Sequence, residues 1–206
     1  LGMYLSHHPQ DQYQQQVLDK LSEVLANRCR RYEDGLLKIE ICTTLQHIAS
    51  DPTKDLLLQL THDIDFDVRK SAILALGSFR SLKSSLTPVL LPFLQDEHWS
   101  VREAAVTALG LLQANEAEDL FLRMLEDPDL AVRKALFIAL GRICSIQAIP
   151  TLVENLAHDD LDYPAYQALA MITEHHREKI EPYLSHENPK IHLFMKHLLE
   201  ERSRVT

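Results

Sequence analysis

Three copies of one phrase decide the fold: DVRKSAILALG at 67–77, SVREAAVTALG at 100–110 and AVRKALFIALG at 131–141. In each copy Val-Arg stands near the start, Ala-Leu-Gly stands at the end, and the glycine follows the valine by nine residues. Successive valines are separated by 33 and then 31 residues. A period of about 20–50 residues is typical of stacked supersecondary units, so the sequence predicts a repeat architecture.

The phrase has the spacing of an amphipathic helix. With the valine as position 0, the apolar and small residues at positions 0, 4, 7, 8 and 11 share one side of a helix. In the first copy these residues are Val68, Ala72, Ala75, Leu76 and Phe79. A shorter apolar segment and an acidic turn precede each copy, so each unit is predicted to be two antiparallel helices. Glycine at position 9 costs a helix about 1 kcal/mol relative to alanine, which indicates that a neighbouring unit presses in at that place.

The repeats predict an all-α protein, an α-solenoid of about five to six stacked antiparallel helix pairs. We expect a disordered or tag-derived lead-in at 1–11 and a single solenoid at 12–206. The repeats become degenerate at about 12–50 and 146–206. Terminal repeats commonly depart from the consensus because they separate the core from water.

Several assignments concern the ends of the chain. Ile39 is placed at position 0 of the degenerate first phrase because Ile48 follows it by nine residues, and Tyr163 is placed at position 0 of a later phrase because it follows Val132 by 31 residues. Ile191 takes position 0 in the last helix. Leu1-Gly2 before Met3 resembles the remnant of a protease site, which predicts a native start at Met3.

Charges recur together with the phrase. The arginine at position 1 lies in the first helical turn, where the helix dipole disfavours a cation, so we expect a carboxylate beside it. An aspartate stands five residues before each valine. This predicts a structural ladder, in which Arg102 reaches back to the turn at 63–67 or each arginine bridges within its own turn. The alternative for any single pair is that both side chains are exposed to solvent at the edge of the stack and do not bond each other. The ladder residues are Asp63, Arg69, Asp96, Arg102, Asp127 and Arg133.

The composition excludes some classes of function. The net charge is −9, and a general DNA- or RNA-binding surface needs a positive field to displace counterions. No stretch approaches the roughly 18 apolar residues of a membrane span, and no signal peptide is visible at the polar N-terminus. These features predict a cytoplasmic protein without a membrane partner; they oppose a nucleic-acid partner but leave a local basic patch open.

Residues that could carry chemistry are scattered. Cys29, Cys42 and Cys144 have no metal-like pairing and are predicted to be free thiols in a reducing compartment. The Glu174-His175-His176 cluster would need a further ligand from elsewhere to hold zinc. The sequence contains no Gly-rich phosphate loop and no nucleophile elbow. We therefore predict no catalytic residues, no metal and no cofactor.

The pattern Asp-x-x-x-x-Val-Arg-x-x-Ala-x-x-Ala-Leu-Gly over 63–141 resembles the HEAT repeat, in the short form of the phycobilisome-lyase-like proteins. The resemblance implies a right-handed superhelix whose phrase helices line the inner surface. Such repeats serve scaffolds, lyases and hydroxylases. The deoxyhypusine hydroxylases of this kind bind iron through several His-Glu pairs, but here that pair occurs only at His186-Glu187, so an iron site is not expected.

Positions 2, 6 and 10 of the phrase form a stripe away from the core, which we take as the concave face. Its apolar content is typical of interaction sites that receive a helix or an extended peptide. The alternative is a tightly curved stack in which these residues contact one another. The predicted partner-binding residues are Ile41, Leu45, Lys70, Leu74, Glu103, Thr107, Leu111, Lys134, Ile138, Arg142 and Leu169.

The sequence therefore predicts a non-enzymatic scaffold or adaptor that binds another protein along its concave face. The resemblance also admits a bilin-chromophore lyase-like or chaperone-like protein acting with a partner subunit. A nucleic-acid-binding HEAT protein is a third class, which the acidic charge opposes. The oligomeric state stays open.

Overall fold

A computed structural model of the chain describes residues 9–28, 34–48 and 50–201. These residues form eleven α-helices joined by turns and short 3-10 segments, with no β-strand among them. The helices are α1 (Pro9–Arg28), α2 (Gly35–Leu45), α3 (Asp51–Leu60), α4 (Phe66–Gly77), α5 (Lys83–Leu90), α6 (Trp99–Leu111), α7 (Glu118–Arg123), α8 (Leu130–Arg142), α9 (Ile149–Asn155), α10 (Asp162–Ile180) and α11 (Pro189–Glu201).

The three phrases form α4, α6 and α8, and each begins at a side-chain cap. Asp65, His98 and Asp129 stand three residues before the valine, and each accepts the backbone N–H two residues further on. These caps satisfy N–H groups that the first helical turn leaves without a partner. The same local chemistry therefore starts every phrase helix at the same place.

The helices stack as consecutive pairs, each made of a first helix and a phrase helix. The phrase helices α4, α6, α8 and α10 pack side by side along the stack, and this is the most extensive helix–helix packing in the described chain. From α3 onward the first helices pack on the phrase helix of their own unit, whereas α1 packs on α3. Because the phrase helices pack together more tightly than the first helices do, we take the exposed side of the phrase helices as the inner face of the stack.

Glycine at position 9 permits this close packing. An added β-carbon would stand 2.6 Å from Ala108 Cα at Gly77, 2.9 Å from Ala139 Cβ at Gly110 and 2.6 Å from Ala168 Cα at Gly141. Each glycine thus faces an alanine at position 7 of the following phrase helix. The small-residue pair lets adjacent phrase helices approach almost to backbone contact.

The first helices are shorter and less regular. Proline lacks a backbone N–H and interrupts helical hydrogen bonding; Pro88 lies inside α5, and Pro92 opens the 3-10 segment Leu91–Gln95 that follows. Near the C-terminus α10 contains a kink at His176, where φ is −137° and ψ is 43°. The residues after the kink and the 3-10 segment Glu181–Ser185 serve as the first half of the last pair.

The Gly141–Ala168 contact corrects the predicted register at the C-terminal end. Since Ala168 occupies position 7 of its phrase, position 0 is Leu161 rather than Tyr163. At the other end Lys38 donates a hydrogen bond to Asp63 in the turn of the next unit, and the phrase residues Arg69 and Arg102, at position 1, make the same kind of bond. Lys38 therefore occupies position 1, and position 0 is Leu37 rather than Ile39. Both predicted assignments were therefore displaced by two residues.

The predicted lead-in at 1–11 is only partly described. Pro9–Asp11 belong to α1, so the helix begins inside the segment that was expected to be disordered. The predicted protease-site remnant and Cys29 lie outside the described residues. Within the described part of the chain, no helix combines the length and apolar content that crossing a bilayer requires.

Candidate interaction face

Arginine–aspartate pairs connect successive units along one edge of the stack. Arg69 donates to both carboxylate oxygens of Asp96, at 3.2 and 3.1 Å, and Arg102 donates to both oxygens of Asp127, at 2.9 and 3.0 Å. Lys38 makes the corresponding bond to Asp63 at 2.7 Å. Two-point arginine–carboxylate bonds fix geometry as well as charge, so these pairs set the register between neighbouring units.

The direction of the ladder differs from the prediction. Arg102 reaches forward to the next unit, whereas the sequence had suggested a reach back to the turn at 63–67. Within its own turn Arg102 bonds the backbone carbonyls of Asp96 and Glu97, and no carboxylate is bridged there. The arginine therefore closes its own turn through the backbone and holds the following turn through the carboxylate.

The ladder ends at Arg133. This residue bonds the carbonyl of Asp127 in its own turn, at 2.6 Å, as the other phrase arginines do. In the following unit, however, the place of the turn aspartate is taken by Leu156, which is buried. The joint between the units of α8 and α10 consequently lacks the forward two-point bond of the earlier joints.

The Arg102–Asp127 pair shifts both pKa values. Burial alone would raise the pKa of Asp127, but the bond from Arg102, the N–H of Asp129 and nearby arginine charge outweigh it and lower the pKa. The bond to Asp127 raises the pKa of Arg102, against the opposing effect of burial. The pair is thus charged at neutral pH, and its role is structural.

Eight of the eleven predicted partner-binding residues lie on the inner face and are partly exposed. They are Lys70, Leu74, Glu103, Thr107, Leu111, Lys134, Ile138 and Arg142. The other three, Ile41, Leu45 and Leu169, are buried in the core, and this part of the prediction is wrong. The register error explains it, because a shift of two residues turns a helical position by about 200° and exchanges the outer stripe for the core.

Five of these eight residues line an open groove of 310 Å³ that runs between α6, α8 and the start of α10. We call it the central groove. Its lining residues are Glu103, Thr107, Ala131, Lys134, Ala135, Ile138, Arg142 and Pro164. It combines aliphatic surface with three charged side chains, a composition that suits a peptide more than a small apolar ligand.

A second, larger groove of 580 Å³ lies between α10 and α11, and the sequence analysis missed it. We call it the C-terminal groove. It is lined by Asp162, Tyr163, Tyr166, Leu193, Phe194 and His197. With Leu161 and Ile191 at position 0, Tyr163 and Leu193 occupy position 2 of their phrases. The correct register would therefore have placed both on the inner stripe.

Aromatic packing shapes the C-terminal groove. Tyr166 lies 5.9 Å from Phe194 between ring centroids, and its hydroxyl is 2.9 Å from His197 Nδ1. Tyr163 and Leu193 are each 66% exposed. Large apolar side chains exposed together are typical of interaction surfaces.

The remaining candidates for chemistry have structural surroundings. Cys42 is buried, and burial, with a smaller effect from Asp63, raises its pKa to about 12. Cys144 is partly exposed, and burial followed by the charge of Glu174 raises its pKa. A thiol with a raised pKa is a poor nucleophile at neutral pH.

The histidines form no metal cluster among the described residues, where no three His, Cys, Asp or Glu side chains converge. His186, from the single His-Glu pair, takes the place of a turn aspartate. Its Nδ1 accepts the N–H of Asn188 at 3.1 Å, which leaves Nε2 to donate to Glu154 at 3.3 Å.

Comparisons with known proteins agree with this architecture. A family model described as HEAT repeats matches residues 87–173. No curated protein matches the sequence. Among solved structures, an engineered protein of the Northeast Structural Genomics Consortium is similar, with a TM-score of 0.61 at 20% identity over 89% of this chain and 95% of that one. A second engineered protein from the same consortium gives 0.60 at 21% identity, over 89% and 97% of the two chains.

The complex of CpcE and CpcF of phycocyanin lyase from Nostoc sp. PCC7120 is also similar, with a TM-score of 0.61 at 21% identity over 84% of this chain and 73% of that one. At such identities the likeness concerns the fold. Together with the repeated phrase and the glycine–alanine contacts, it shows that this chain folds as an α-solenoid, of which residues 87–173 match the HEAT-repeat model.

Proposed function

We propose that this chain is a non-enzymatic adaptor that binds a segment of another protein along the inner face of its solenoid. The observation that carries the proposal is the central groove, which stays open between partly exposed residues of α6 and α8. In a stack curved tightly enough for these residues to fill the space among themselves, no such groove would remain.

The surroundings of the groove favour binding over chemistry. The phrase helices that carry its side chains are fixed by glycine–alanine contacts and by the Arg–Asp ladder. A rigid, preformed groove reduces the ordering cost of association. The polar groups of the ladder are engaged with one another, so they offer neither a nucleophile nor a base to a substrate.

Ile138 is the best probe of this function. It lines the central groove and is partly exposed. Leu74 was predicted for the same role, but it packs against the core, so a charge there would also disturb folding. Val89 on α5 is 37% exposed and lies on a first helix, which provides a matched apolar control away from the inner face.

The test is affinity capture from lysate of the source organism with the immobilised wild type, Ile138→Glu and Val89→Glu, followed by mass spectrometry. We expect a protein that the wild type and Val89→Glu retain and that Ile138→Glu loses, while all three keep the same melting temperature. Equal retention by all three chains would refute the inner face as the binding surface. A loss by Ile138→Glu that matches a fall in its melting temperature would refute a surface role for that residue.

A further inference from the structure

The charges that line the central groove are not balanced. Its acidic residue, Glu103, is paired with Lys70 at 3.5 Å. Lys134 and Arg142 line the same groove, and neither lies within ion-pair distance of a carboxylate among the residues that the structure describes. The groove therefore presents unneutralised positive charge, although the chain as a whole carries −9.

Arg142 is held in a position that favours an anion. Its side chain lies against α6 near Gly110, with Cδ 3.7 Å from the point where a β-carbon on that glycine would stand. It is partly buried, and burial together with the nearby charge of Arg80 lowers its pKa. A partly desolvated guanidinium beside a second cation gains more from an incoming carboxylate than a fully hydrated one would.

The C-terminal groove offers the opposite chemistry. Its single acid, Asp162, is engaged by Lys190 at 3.1 Å, and the rest of its lining is mainly aromatic and aliphatic. Pro164 lines the central groove and Tyr163 lines the C-terminal one. Since these residues are adjacent in the chain, both grooves border the start of α10, and a single extended segment can reach both.

We infer that the segment bound by the inner face is an acidic peptide with an apolar anchor: Asp or Glu side chains lie over Lys134 and Arg142, and a large apolar side chain enters the groove between α10 and α11. This inference rests on the proposed function and specifies the chemistry of the partner. We infer the acidic residues of the segment from charge complementarity with the central groove. We infer its large apolar residue from the C-terminal groove, whose lining suits a buried aromatic or aliphatic anchor.

The test is selection of a displayed library of random 16-residue peptides against the purified chain. We expect enrichment of peptides that combine several Asp or Glu residues with Leu, Phe or Trp. Their affinity, measured by fluorescence anisotropy with the enriched peptides, should fall about tenfold or more in Arg142→Glu and in Lys134→Glu. The matched control is Arg123→Glu, which reverses the charge of an exposed arginine on α7 and should leave the affinity unchanged.

The anchor is tested with the same peptides. Tyr163→Ser and Leu193→Ser replace exposed side chains, so we expect weaker peptide binding at an unchanged melting temperature. Selected peptides without acidic enrichment that still lose binding to Ile138→Glu would overturn this inference while leaving the proposed function in place. The inference also fails if no peptide is enriched, or if sedimentation shows a dimer that Arg142→Glu dissociates, because a second copy would then occupy the grooves.

Discussion

Gly77→Ala tests the close approach of α4 and α6. The added β-carbon would stand 2.6 Å from Cα and 2.7 Å from Cβ of Ala108, whereas favourable carbon contacts lie near 3.5–4.0 Å. The two helices would have to separate by about 1 Å, because a backbone atom cannot rotate out of the way as a side chain can. The substitution therefore strains the packing of two helices without removing any contact.

The expected magnitude follows from two opposing effects. Overpacking costs about 1–3 kcal/mol, and backbone contact places this site at the upper end. Alanine returns about 1 kcal/mol through its better helix propensity, which leaves a net loss of about 2 kcal/mol. In a chain of this size 1 kcal/mol corresponds to about 2–4 °C, so the melting temperature should fall by about 4–8 °C.

The assay is thermal unfolding followed by far-UV circular dichroism, with urea unfolding as a second measure. Gly35→Ala is the matched control. Its β-carbon would meet Asp65 Oδ2 at 2.6 Å, which is the end of a side chain and not backbone. Because Asp65 also caps α4, we expect this control to weaken that cap at most and to leave the helix separation unchanged. A melting temperature for Gly77→Ala equal to or above that of the wild type would refute the role of glycine in bringing the helices together.

Three further predictions concern the ladder and the buried thiol. Arg102→Ala should lower the free energy of unfolding, measured with urea, by about 2 kcal/mol, because Asp127, with a side chain only 7% exposed, loses its partner. This loss is smaller than the one expected when a partner is removed from a fully buried ion pair. Arg133→Ala should lower the free energy of unfolding clearly less, because Arg133 has no forward carboxylate to lose. Because the folded pKa of Asp127 is lowered, its contribution is present above its unfolded pKa and is lost as pH falls through the folded value. As the pH is lowered, the free energy of unfolding of Asp127→Asn should accordingly fall less steeply than that of the wild type. The pKa of Cys42 is raised to about 12 from an ordinary 9.0, so stability should fall as pH rises from 9 towards 12, and Cys42→Ala should reduce that fall.

The centre of the fold could be predicted from the sequence because its helices repeat the same chemistry. An Asp turn, a Val-Arg start and an Ala-Leu-Gly end place each of α4, α6 and α8 without any knowledge of the rest. The cap residues are local features of these phrases, and the glycine and the alanine that meet between neighbouring phrase helices stand at fixed positions in each phrase. The helix pairs and their stacking were confirmed for this reason.

The ends could not be read from apolar spacing alone. Ile39 and Tyr163 fit a helical stripe as well as Leu37 and Leu161 do, so apolar spacing does not distinguish the two registers, whereas the contacts between units do. Two signals in the sequence would have helped: a basic residue at position 1, which Lys38 supplies, and alanine at position 7, which Ala168 continues. The consequence was that three core residues were mistaken for binding residues.

The candidate site was predictable in its centre and missed at its C-terminal side. Five of the eight residues that line the central groove stand at positions 2, 6 and 10 of well-formed phrases, so the stripe pattern was sufficient to find it. The C-terminal groove lies where the consensus fades, and the sequence records only scattered aromatic residues there. The direction of the Arg–Asp ladder depends on how far one unit is offset from the next, which the sequence of a single unit does not contain.

The replacement of the turn aspartate by Leu156 makes coupling along the array uneven. In a linear array, stability is the sum of the units' own terms and the nearest-neighbour terms between them. Joints that carry a two-point ion pair spread any local opening over several units, whereas the joint after α8 has no such arginine–aspartate pair among the residues that the structure describes. The molecule should therefore behave as two cooperative blocks, and partial melting or mechanical load would divide it there. The C-terminal groove would then be lost while the ladder-bound centre stays folded.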